Sequence, residues 1–243
     1  MRIMFLSHTP HRGDTEYQDR VLKILRSYAS PGTEIDLQFP NDFPRSQGPG
    51  SAHLGYWVSV PALVEKTVWA EKNGYDAVIQ SNNFEPGVEA SRLAVRIPVL
   101  GLCRTSMLAA ANLSDRIAVT VPLDGYYILT RRLLESYGVM NWVAGLRSFS
   151  LDAVPSGDQV AIQRPAIQKR AAEVMKAMVQ ETGAECIVPL GGAIIPYIVD
   201  PRDLENDVGV PVLNPKAIGI RTAEMLVGLG MSHSPITYPL ATM

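Results

Sequence analysis

Thiols and imidazoles are scarce in this chain: two cysteines, Cys103 and Cys186, and four histidines, His8, His11, His53 and His233, in 243 residues. No Cys-x-x-Cys or His-x-x-x-His pair occurs, so a structural zinc site lacks its ligand pattern and no metal is expected. The two cysteines lie in unlike settings and nothing suggests secretion, which points to free thiols in a reducing compartment rather than a disulfide. Charge of one sign is missing too. The 22 basic and 24 acidic residues are spread along the chain for a net charge of −2, so no basic stripe neutralises a run of phosphates and nucleic acid is not an expected partner. No apolar run reaches the roughly 18 residues that a membrane span needs. The one near the start, in MRIMFLSHTPHRGD, is too short for a signal-peptide core. The expectation is a soluble, cytoplasmic protein with no membrane partner.

What is present is a core. Hydrophobic residues make up 47% of the chain, enough to bury one large domain or two small ones. Short β-branched apolar runs alternate with helical periods, the pattern of βα units around a mostly parallel sheet. Strands are expected at RIMFLS (2–7), EIDLQF (34–39), YDAVIQS (75–81), IPVLGL (97–102), RIAVTV (116–121), ECIVPL (185–190) and VPVLN (210–214). Helical spacing joins Tyr17, Val21, Leu25 and Tyr28 before Pro31 and Gly32. Another helix opens at Pro61 and ends before Gly74, a short Ala-rich one follows Cys103, and one capped by Asp124 runs to Gly138. A long helix through Ile167, Ala171, Val174 and Met178 stops at Gly183, and residues 216–228 close the chain. The Pro/Gly/Ser-rich stretch 40–52 reads as a loop, and His53, Tyr56 and Trp57 in the 48–57 loop as part of a lid.

The chain also echoes itself. NGYDAVIQSNN (73–83) resembles TGAECIVPLGG (182–192), RIPVLGL (96–102) pairs with GVPVLNP (209–215), and RIMFLS pairs with RIAVTV, all in the same order. This predicts two similar three-layer αβα halves related by a pseudo-twofold, one of residues 1–112 with 216–243 and one of residues 113–215. Ligands on parallel sheets bind beyond the carboxyl ends of the strands. That rule singles out Ser7 and His8, Ser81 to Glu85, Cys103 to Thr105, Thr120 to Tyr127, Gly191 to Ala193, and Asn214.

These segments carry a family resemblance. The MRI start, ASPGTEIDL (29–37), GPGS (48–51), GYDAVI (74–79), EPGVEASRLAVRIPVLG (85–101), GAECIV (183–188) and GVPVLNP (209–215) together resemble the aspartate/glutamate/hydantoin racemase superfamily, hydantoin racemase-like members above all. The resemblance implies two αβ halves with the substrate in the cleft between them, proton chemistry at a carbon beside a carboxylate or ring carbonyl, no cofactor, and a homo-oligomer. It also implies one cysteine per half at the end of the equivalent strand, the pair acting as opposed bases. Here the pattern departs from the family: eight residues after Gly74 stands Asn82, and eight after Gly183 stands Gly191. Neither exchanges protons near neutral pH. A two-thiol mechanism is contradicted, and a variant is expected: one-base isomerisation, decarboxylation or carbon–heteroatom cleavage.

Each candidate has a plain structural reading beside the functional one. Cys103, next to Arg104 at a helix start, is a base or nucleophile, or a buried small hydrophobe. His8 is a general base or a solvated loop residue. Ser81, Asn82 and Asn83 hold a carboxylate or enediolate oxygen, or make an Asn turn. Glu85 serves as an acid, orients the Asn82 loop, or caps a helix. Gly191 and Gly192, followed by Ala193, bring backbone N–H groups to an anion at a helix start, or form a tight turn. Thr120 and Tyr126 contact a carboxylate or pack. Cys186, inside an apolar strand, is core. The expected activity is a cofactor-independent racemase or isomerase acting on a small carboxylate or cyclic amide. The rivals are a hydrolase using Cys103 as nucleophile and a non-catalytic small-molecule binder.

Overall fold

The computed structural model describes residues 1–11, 13–44, 48 and 50–241. Its elements run in the order β1 (Arg2–Leu6), α1 (Thr15–Tyr28), β2 (Glu34–Gln38), α2 (Ser51–Val58), α3 (Val60–Lys72), β3 (Ala77–Gln80), α4 (Val88–Ala94), β4 (Val99–Gly101), α5 (Leu102–Ala110), β5 (Ile117–Val121), α6 (Tyr127–Ser136), β6 (Val143–Ser148), α7 (Gln159–Thr182), β7 (Cys186–Pro189), α8 (Pro201–Val208) and α9 (Pro215–Gly228). Two compact units result, Met1–Leu102 with Gly219–Met243, and Cys103–Ile218. No helix among the described residues is long and apolar enough to cross a membrane.

Both units are parallel α/β sheets, in the orders β2-β1-β3-β4 and β6-β5-β7. Their strands are apolar on both faces, as expected where helices cover a sheet on each side. In the first unit Met4, Leu6 and Val78 pack with Leu63 and Ala70 of α3. Ile79, on the other face by strand alternation, looks toward Gly219 of α9. In the second unit Ile117, Val119, Val121, Cys186 and Val188 meet Cys103, Met107 and Leu134 from α5 and α6. Ala118 and Ile187 turn the opposite way, onto Ala171, Val174, Met175 and Met178 of α7.

The internal echo is reproduced atom for atom in the pairing. Ile3 is in register with Ala77, and Ile117 with Cys186. Ser81 N–H donates to the Leu6 carbonyl at 2.8 Å, and Leu190 N–H to that of Thr120 at 2.7 Å. Val78 N–H donates to the Pro98 carbonyl and Ile187 N–H to that of Pro211, each at 2.9 Å. The positions matched in sequence are therefore the positions matched in the sheets.

Some expectations need correction. The strand expected at 210–214 is reduced to one bridge, Ile187 with Val212, and the chain turns at Asn214, whose Oδ1 accepts the N–H groups of Lys216 and Ala217 at the start of α9. Residues 51–58 are helical, so His53, Tyr56 and Trp57 stand on α2 rather than in a loop. Asp124 makes no helix cap; it lies in a 3-10 turn and its carboxylate accepts from Ser150 Oγ at 2.9 Å.

Candidate functional site

In the first unit the chain leaves β1 through Ser7 and His8, with Ser7 N–H bonded to the Gln38 carbonyl at 2.8 Å. His8 is half-buried, its ring tilted 6.1 Å from that of Phe43. Ser81 and Asn82 leave β3 beside it in the sheet, half-buried, whereas Asn83 and Glu85 are buried. Asn82 Oδ1 accepts the Phe84 N–H at 2.8 Å and its carbonyl accepts the Glu85 N–H at 3.0 Å. The Asn-turn reading is thus met, and it fixes the loop.

Glu85 is held in a left-handed backbone conformation, φ 57°, a placement that a non-glycine residue keeps only when its surroundings enforce it. The enforcing contact lies at the end of β4. Gly101 has no side chain, and the Glu85 carboxyl lies 2.1–2.4 Å from where a Cβ would stand. Tyr56 of α2 feels the same corner: burial, then the charges of Glu85 and Glu89, push its phenol pKa upward.

In the second unit the equivalent corner is bare. Gly191 has φ 96°, and a Cβ there would lie 2.2 Å from Pro122 Cδ. Its carbonyl accepts the Ala193 N–H at 2.7 Å. Gly192 is half-buried and Ala193 exposed. The helix start expected at this point is absent, since the next helix, α8, begins at Pro201. Thr120, at the end of β5, is fully buried, and its Oγ1 has no hydrogen-bond partner among the described residues. Tyr126 packs against the apolar cluster of the second unit, and burial raises its phenol pKa.

Both thiols sit inside that cluster, each fully buried. Cys103 is the second residue of α5, and Arg104 lies over the Tyr137 ring at 5.2 Å. Of the two readings of Cys103, the structure shows the burial of the second, in one apolar cluster with Met107, Ile117 and Val119. Burial pushes the Cys186 thiol up to about 11.

One residue was overlooked in the sequence. Lys216, the second residue of α9, is 1% exposed, and burial lowers its ammonium pKa to about 7. Its Nζ lies 5.7 Å from the centre of the Tyr197 ring, in the segment following β7. The signal is a lysine two places after Asn214 at a strand end, in a segment that reads from sequence only as the start of the closing amphipathic helix. An open groove of about 630 Å³ also runs between α6, β6 and α7, lined by Tyr127, Ile128, Arg147, Arg170 and Glu173 among others. Of the strand-end candidates, Asp124 and Tyr127 line it.

Comparison with known proteins agrees with this architecture. A family model described as Asp/Glu/Hydantoin racemase matches residues 14–223. Hydantoin racemase of Pseudomonas sp. (strain NS671) is 29% identical over 216 residues, covering 88% of this chain and 84% of its own. That of Rhizobium meliloti is 28% identical over 204 residues, covering 84% and 80%. The crystal structure of allantoin racemase from Pseudomonas fluorescens superposes with a TM-score of 0.85 at 25% identity, covering 100% of this chain and 98% of its own. With the family match covering most of the chain, the chain belongs to the Asp/Glu/hydantoin racemase family and is an isomerase built on that family's α/β scaffold.

Proposed function

We propose that this chain moves a proton at the carbon beside the carbonyl of a small cyclic amide or carboxylate, inverting that carbon without a cofactor and without strand-end thiols. The observation that carries the reading is the pair of equivalent strand ends, Asn82 and Gly191, one closed into an amide turn and the other with no space for a side chain. The hydantoin and allantoin racemase relatives favour a ring ureide, whose C5–H is acidified by the neighbouring carbonyl. Loss of that proton leaves an enolate, and fixed hydrogen-bond donors lower its energy. The candidate donors are taken unit by unit: the Ser81–Asn83 loop in the first, and the Gly191–Ala193 loop with Thr120 Oγ1 in the second. His8 and Glu85 are assigned to orientation, the former beside Phe43 and the latter locked over Gly101. A cysteine hydrolase is disfavoured by the full burial of Cys103.

The test is exchange of the C5 hydrogen of single hydantoin and allantoin enantiomers in D2O, followed by NMR with polarimetry on the same samples. Deuterium uptake with loss of optical rotation is expected, and Cys103→Ala should stay within about threefold of the wild-type rate. Absence of exchange and turnover across hydantoins, amino acids and malonate-type acids would leave only a binding role. Loss of activity in Cys103→Ala would restore the thiol mechanism.

A further inference from the structure

The groove of about 630 Å³ in the second unit runs beside β6, the outermost strand of its sheet, with α6 and α7 as its walls. Its volume falls in the range of small-molecule sites, roughly 300–1,000 Å³. Strand alternation divides the chemistry of its floor. A Cβ on Gly145 would meet Thr182 and Met178 of α7, so Arg147 stands on the α7 face, where it pairs with Glu181. Leu146 packs into the apolar cluster on the other face. Thr120 and the Gly191–Ala193 loop do not line the groove, which sets it apart from the donors proposed in this unit.

Four charged side chains line it: Asp124, Arg147, Arg170 and Glu173. Two of each sign cancel, so the groove has no field to gather a polyanion or a simple cation. Two of the four are already answered, Arg147 by Glu181 and Asp124 by the hydroxyl of Ser150 at 2.9 Å. The other two are not. Arg170 Nε donates to the Phe149 carbonyl at 2.9 Å, which anchors the guanidinium and leaves its two terminal nitrogens without a partner among the described residues. Glu173, one turn further along α7, makes no hydrogen bond or ion pair among the described residues. Opposite charges at this spacing are neighbours that commonly pair, yet these two do not pair with each other. The α6 wall adds Tyr127 and Ile128, both exposed apolar residues at the start of that helix.

We propose that this groove is a second ligand site and that it takes a free α-amino acid with an apolar side chain. The ligand carboxylate accepts from the two terminal nitrogens of Arg170, the bidentate contact that a guanidinium offers. The ligand ammonium donates to the Glu173 carboxylate. Its side chain lies over Tyr127 and Ile128, which takes apolar surface out of water. A zwitterion carries both charges on one carbon, and that matches a lone cation and a lone anion one helical turn apart, about 5–6 Å between Cβ atoms. A plain carboxylate would set a like charge beside Glu173, and a plain amine would do the same beside Arg170. The site stands whether or not the strand-end loops move a proton, because it uses none of the proposed donors.

L-Leucine is the probe, titrated into the full chain at neutral pH and followed by methyl NMR of Ile128 and Val174. Leucinamide, which lacks the carboxylate, and isocaproate, which lacks the ammonium, are titrated beside it. Saturable shifts at those methyls are expected with L-leucine, and each truncated probe should bind at least about tenfold more weakly. Arg170→Gln and Glu173→Gln, both at exposed positions and each checked for folding by circular dichroism, should weaken L-leucine by a similar factor. The proposal is overturned if L-leucine gives no saturable shift up to about 10 mM, if either folded variant binds it as wild type does, or if isocaproate binds equally well. It is also overturned if the same methyl signals respond to protein concentration instead and light scattering shows a dimer that Ile128→Ser dissociates, because the groove is then an interface between copies.

Discussion

Asn82 and Gly191 answer one another in the repeat, but they differ in what they accept. The Asn82 side chain is half-buried and spends one oxygen on the Phe84 N–H. Replacing it with cysteine gives up that bond, about 1 kcal/mol, and leaves the fold intact. At Gly191 a side chain meets Pro122 at 2.2 Å from a backbone already at φ 96°. Strain and overpacking together cost about 2–4 kcal/mol. Urea unfolding of Asn82→Cys and Gly191→Cys should therefore show a much larger loss of midpoint for the second. Equal midpoints would mean that Pro122 yields, and that the bare corner is not structurally enforced. The same residue-scale logic explains why a thiol cannot simply be restored to both halves of this chain.

At the scale of elements, the start of α9 is held by a side-chain cap. Asn214 caps it through two N–H groups, and its loss by Asn214→Ala should cost about 1 kcal/mol in a denaturant titration. Asn214→Asp keeps the acceptor and adds a negative charge at the helix start, so stability should hold. Several of these elements were legible beforehand. The doubly buried strands show as unbroken apolar runs, and α7 ends at Gly183 in the left-handed conformation that its glycine announces. The edge strand β6 was missed because it is only half-buried along its whole length, with Gly145, Arg147 and Ser148 interrupting any apolar run. Helix α8 carried a readable start, Asp200 followed by Pro201, with Gly209 at its end, but it is short and strongly polar.

Across the whole molecule, the strand-end rule found the loops but not the burial of what stands on them. Cys103 and Lys216 both follow an apolar strand end; in sequence the thiol can be reactive or core and the amine draws no notice, while three-dimensional packing buries both. That burial has a global consequence for folding. The ammonium of Lys216 is disfavoured in the native state, its pKa lying near 7 against an ordinary 10.5, so between those values the unfolded chain binds more protons than the folded one. Stability must then rise with pH above 7, by up to about 1.4 kcal/mol per pH unit. Cys186 acts in the opposite sense at higher pH. Its folded pKa near 11 exceeds the ordinary value of 9.0, so the unfolded chain releases that proton first and stability falls above pH 9. Urea titrations between pH 7 and 9 should thus show the unfolding free energy climbing in wild type and flattening in Lys216→Met, which should also be the more stable of the two at pH 7. A flat wild-type curve would show that the amine keeps its charge in the folded protein.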